Sequence, residues 1–135
     1  MEIKKIGILG AGAMGTGIAH VAAQAGYDVV LGDLDMAFIE KSVASIDKLL
    51  NRSIEKGRMT AEQKDAMMAR FKLTTNMDDF ADVDYFIEVI IEDMDIKKST
   101  LAKIDKILKP GAIMATNTSS MSITVLASAT SRPEN

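Results

Sequence analysis

The stretch Ile6-Gly7-Ile8-Leu9-Gly10-Ala11-Gly12-Ala13-Met14-Gly15-Thr16-Gly17-Ile18-Ala19-His20 decides the fold. An apolar run of strand length, Ile3 to Leu9, leads into an Ala-rich helical pattern, Met14 to Ala25. Between them Gly10, Gly12 and Gly15 stand in G-x-G-x-x-G spacing, in the strand-to-helix context that the motif requires. Gly10 allows the tight turn out of the strand. Gly12, without a Cβ, lets a pyrophosphate approach the backbone, and Gly15 lets the helix pack closely on the sheet. The N–H groups around Ala13 and Met14 are then available to phosphate oxygens, and the helix dipole favours that charge.

Outward from this loop, strand-length and helical patterns alternate. Asp28 to Leu31 reads as a second strand. Phe38, Ile39, Val43, Ile46, Leu49, Leu50 and Ile54 mark one face of a long helix, since steps of three and four recur on one side of a helix. Gly57 lies at its expected stop, and Thr60 with Gln63 forms a capping box for a further helix. Phe71 to Thr74 is a weak strand and Tyr85 to Ile91 a strong one. A helix over Ile96 to Leu108, a strand over Ala112 to Ala115 and a last helix over Ser122 to Ala129 follow. This rhythm predicts an α/β domain with a doubly wound, mostly parallel sheet and a helical insertion after the second strand.

Asp33 ends the second strand, where an acidic residue accepts hydrogen bonds from an adenosine ribose. No Arg or Lys lies between Gly32 and Glu40. A 2′-phosphate would meet Asp33 and Asp35 without a nearby cation, so NAD is expected and NADP is not. Nothing besides the loop suggests a flavin.

Composition narrows the alternatives. The 135 residues have the length of one domain, read here as residues 1–135. A net charge of −3 argues against a nucleic-acid surface. The chain has no Cys and one His, which excludes a disulfide scaffold, a thiol nucleophile and the usual zinc sites, so no metal is expected. No apolar run reaches the roughly 20 residues of a membrane span. The opening MEIKKIGILG reads as a strand and not as a targeting segment, so a cytoplasmic setting is expected. The Asp78, Asp79, Asp82 and Asp84 group reads as a solvated loop, and the 10 Met residues as core filling.

Three segments, GILGAGAMGTGIAH (7–20), DYFIEVIIEDMDIKKSTLAKID (84–105) and ATNTSSMSITVLASATSRPE (115–134), together resemble the NAD-binding domain of 3-hydroxyacyl-CoA dehydrogenases, most closely the 3-hydroxybutyryl-CoA enzymes. The resemblance implies a Rossmann-type fold and hydride transfer between an (S)-3-hydroxyacyl-CoA and NAD. It implies that Asp33 binds the adenosine ribose and that Glu92 and Lys97 face the nicotinamide-ribose end. Asn117 and Ser119 would lie beside the nicotinamide and the substrate oxygen, and Lys56 would contact the coenzyme A phosphates.

In this family the base is a His in a G-x-H-F-F-N-P segment, held by a Glu, and the chain contains no such segment. His20, inside the first helix, is not that base. The final strand and a C-terminal helical domain, through which the intact protein would form a homodimer, are also expected beyond this chain. The chain alone is thus expected to bind NAD without catalysing. A non-catalytic NAD-sensing module, and a 3-hydroxy acid dehydrogenase that does not use CoA esters, are the competing readings.

Overall fold

Five short strands form one wholly parallel sheet in the computed structural model, which describes residues 1–135. In chain order the elements are β1 (Lys5–Leu9), α1 (Ala13–Gln24), β2 (Asp28–Gly32), α2 (Met36–Glu55), α3 (Ala61–Met68) and β3 (Phe71–Thr74). A 3-10 turn (Met77–Phe80), β4 (Tyr85–Glu88), α4 (Met94–Asp105), β5 (Ile113–Thr116) and α5 (Ile123–Ala127) follow. The strand order is β3-β2-β1-β4-β5. The chain steps from β1 out to β3, then returns to the other side of β1 for β4. That reversal opens a crevice at the carboxyl ends of β1 and β4, the place where ligands sit in such sheets.

Alternation along the strands divides the core in two. Ile8, Val29 and Leu31 pack against Ala19, Ala22 and Ala23 of α1, Ile39, Ile46 and Leu50 of α2, and Met67 of α3. Leu9, Val30 and Phe86 face the opposite layer, with Leu101 and Ile104 of α4 and Leu126 of α5. Successive strand residues point to opposite faces, so each central strand must be apolar on both sides.

Several elements depart from the expected bounds. α2 begins at Met36 because Asp35 caps it, its Oδ1 accepting from the Ala37 N–H at 2.9 Å. The α2 stripe is narrower than its apolar spacing suggests. Phe38 is 56% and Leu49 44% exposed, while Ser42 is buried against α1, its hydroxyl 2.6 Å from that of Thr16. β4 ends at Glu88 instead of Ile91. Val89 N–H still reaches Leu9 O at 2.8 Å, but the chain then curls, with Asp93 N–H donating to Ile91 O at 2.8 Å. Asp93 starts α4 at Met94, its carboxylate accepting from Ile96 N–H. α4 ends at Asp105, short of Leu108, and α5 spans only Ile123–Ala127 with Ser122 as its cap. The Thr60–Gln63 capping box is present with both of its hydrogen bonds.

Candidate cofactor site at the carboxyl edge of the sheet

The glycine loop joins β1 to α1 with geometry that side chains would destroy. Gly10 has φ +122°, and a Cβ there would lie 2.2 Å from the Val89 carbonyl oxygen. A Cβ on Gly15 would lie 1.7 Å from the Gly10 carbonyl oxygen, so the start of α1 rests directly on the loop. Gly12 differs. It is the N-cap of α1, contributes no side-chain cap, and a Cβ on it would meet nothing within 4 Å. The space over Gly12, Ala13 and Met14 is therefore open at the positive end of a 12-residue helix.

Asp33 stands opposite this mouth and also builds it. Its Oδ2 accepts from Ala11 N–H at 2.8 Å and its Oδ1 from Leu34 N–H at 2.6 Å. One carboxylate thus ties the end of β2 to the glycine loop. A carboxylate has about four acceptor positions, so capacity remains for ribose hydroxyls. Beside it lies a cavity of about 340 Å³ lined by Gly10, Gly12, Asp33, Leu34, Ile91 and Ile96 among others. An adenosine diphosphate moiety fits this surround. It combines an uncapped helix start, an acidic strand end and an apolar slot.

The ends of β4 and β5 carry a side-chain network. Lys97, on the first turn of α4, is wholly buried. Its Nζ donates to both carboxylate oxygens of Glu88, one at 2.9 Å, and to Ile90 O at 3.3 Å, and lies 3.1 Å from Glu92 Oε1. Glu92 Oε2 in turn accepts from Thr118 Oγ1 at 2.9 Å and Ser120 Oγ at 3.1 Å. The Thr118 hydroxyl and then the Lys97 ammonium hold the Glu92 carboxyl below its ordinary value of 4.5.

These placements sort the expected site residues. Gly10, Gly12, Ala13, Met14, Gly15 and Asp33 meet at one mouth. Glu92, Asn117 and Ser119 share the crest of β4 and β5. The Asn117 N–H donates to Glu88 O at 3.1 Å, while the side chains of Asn117 and Ser119 are exposed and make no hydrogen bond within the chain. Lys97 differs from the expectation of a cofactor-facing lysine. An ammonium has three N–H donors, and here protein acceptors use them all. Lys56 stands apart. It is exposed at the C-cap of α2, and a 20-residue helix puts it about 30 Å from the Asp35 end. His20 lies on α1 and is not among these groups.

Sequence reading missed Glu88 and Thr116. The signal for Glu88 was available. It interrupts an apolar run two positions from Phe86, hence on the same buried face, where an unpartnered charge is costly.

Comparisons with known proteins identify the family of the domain. Residues 5–135 match the family described as "3-hydroxyacyl-CoA dehydrogenase, NAD binding domain". A 3-hydroxybutyryl-CoA dehydrogenase of Bradyrhizobium diazoefficiens is 46% identical over 132 residues, which are 98% of this chain and 45% of that protein. The fatty acid oxidation complex subunit alpha of Psychrobacter arcticus is 37% identical over 99% of this chain and 19% of its own length. Among solved structures, an (S)-3-hydroxybutyryl-CoA dehydrogenase from Ralstonia eutropha superposes with a TM-score of 0.94 at 42% identity, covering 98% of this chain and 47% of that one. The chain thus spans about half the length of these two 3-hydroxybutyryl-CoA dehydrogenases.

Proposed function

The chain belongs to the 3-hydroxyacyl-CoA dehydrogenase family through its NAD-binding domain, and on that premise we propose that it forms the cofactor half of an enzyme exchanging a hydride between a short-chain (S)-3-hydroxyacyl-CoA and NAD. The observation that carries this reading is one edge of the sheet bearing both the uncapped mouth at Gly12 and the unengaged side chains of Asn117 and Ser119.

Each group has a task suited to its surroundings. The N–H groups of Gly12, Ala13 and Met14 hold the diphosphate. The spare acceptor positions of Asp33 take the adenosine ribose, and Glu92, charged and exposed, takes the nicotinamide ribose. Asn117 offers an amide and Ser119 a hydroxyl to orient the nicotinamide and the substrate's 3-oxygen. NAD, when bound, supplies the hydride acceptor. Lys56, apart from the crest at the C-cap of α2, is assigned to the phosphates of coenzyme A on the family resemblance alone. The proton of the 3-hydroxyl goes to a base outside this chain, so residues 1–135 bind cofactor as one unit without turnover. No helix here is long and apolar enough to cross a membrane. On the family resemblance the whole enzyme is proposed to be cytoplasmic and to form a homodimer through a helical domain outside these residues.

Calorimetry on this chain tests the reading. NADH is expected to bind at least about tenfold more tightly than NADPH, since a 2′-phosphate would face Asp33. Equal affinity for the two, or none for either, overturns it.

A further inference from the structure

Glu88, the last residue of β4 and wholly buried, holds three separate parts of the crest. Its carboxylate accepts from Lys97 Nζ on α4 and, at 2.7 Å, from Thr116 Oγ1. Thr116 is its register partner on β5. Its carbonyl accepts from Asn117 N–H at 3.1 Å. A buried ion pair adds little stability over an apolar pair of similar volume, so the core alone gives no reason for a charge beside Phe86. What such a network supplies is one defined geometry.

We propose that Glu88 is a positioning residue for the nicotinamide end of the site, an inference that rests on the NAD reading above. Through Lys97 it fixes Glu92, and Glu92 holds Thr118 and Ser120. Through Thr116 and its own carbonyl it fixes the start of the 117–120 segment. Alternate residues of that segment are thereby tied down, Thr118 and Ser120, or left free, Asn117 and Ser119. The contacts that build the glycine mouth, Ala11 to Asp33 and Gly10 N–H to Gly32 O, share no side chain with this network. Loss of Glu88 should therefore damage one end of the site and spare the other.

The test uses two ligands on the 135-residue chain. NADH spans both ends, and ADP occupies only the adenosine and diphosphate end. Glu88→Gln should weaken NADH about tenfold and abolish the change in nicotinamide fluorescence on binding, with ADP affinity kept within about twofold. Thr116→Val, which removes only the hydroxyl, should weaken NADH about threefold with ADP unchanged. Should Glu88→Gln lose its cooperative melt, the Thr116→Val pair of titrations decides. Parallel loss of NADH and ADP, or no loss of NADH, overturns the positioning role while leaving the NAD reading intact. A wild-type chain that binds neither ligand overturns both.

Discussion

The two ends of the crevice are built from different materials. At the mouth of α1 the working parts are backbone N–H groups, exposed because Gly12 has no side chain and ordered because Gly10 and Gly15 let loop and helix touch. At the crest of β4 and β5 the working parts are side chains, and their order comes from other side chains: Glu88, Lys97, Glu92, Thr116 and Thr118. A diphosphate is a diffuse anion, so a helix start and a bare loop suffice for it. On the proposed function the crest orients a nicotinamide ring and a prochiral carbon to within a few tenths of an ångström, which demands groups locked by further groups.

The sharpest way to break this contrast is Lys97→Met. It leaves the Glu88 carboxylate buried without its cation, and chemical denaturation should register a loss of about 3–5 kcal/mol. A loss below about 1 kcal/mol would mean that the ion pair does not order the crest. Gly15→Ala should cost about 3 kcal/mol by the same measurement, because the new Cβ meets the Gly10 carbonyl oxygen at 1.7 Å and the backbone must move.

Gly12→Ala should separate binding from stability. Its Cβ meets nothing in the protein, so the melting curve should shift by less than about 0.5 kcal/mol. NADH affinity by calorimetry should nonetheless fall about tenfold, because the methyl occupies the phosphate's approach. If binding survives, the mouth is not where the diphosphate sits.

Acid provides a control from the far end of β4. Asp84 there accepts from the backbone N–H groups of Lys4 and Lys5, at 2.8 and 2.9 Å, and from Lys109. The Lys109 ammonium, with those two N–H groups, holds its carboxyl at about 2, below the ordinary 3.8. The folded value lies below the unfolded one. The stabilisation is therefore complete above 3.8 and is lost as pH falls from there towards 2. Asp84→Asn should flatten that limb of the stability–pH curve and leave NADH binding near neutrality unchanged. Last, Ser119→Ala should leave the melting temperature unmoved, since the hydroxyl bonds to nothing in the chain. A clear destabilisation would show that Ser119 is part of the crest's framework.

Residues adjacent in the chain made much of this legible beforehand. The glycine spacing, the acid closing β2, the Thr60 capping box and the alternation of strands and helices are short-range patterns, and each of them is present in the fold. The boundaries moved where a cap intervened, as Asp35 and Asp93 did for α2 and α4. The apolar stripe of α2 overstated burial at Phe38 and Leu49 because helical spacing says which residues share a side, not how far the neighbouring layer extends over it.

By itself the sequence determined the open mouth at Gly12, because backbone geometry at a turn depends on which of a few consecutive residues lack a Cβ. Only the tertiary structure decided that Lys97 turns inward, that Asp33 also clamps the glycine loop, and that Glu88 meets Thr116 from 28 residues away. Those partnerships follow from the register of β4 against β5 and of β1 against β2. Register is set by the packing of whole layers, which no local run of residues encodes.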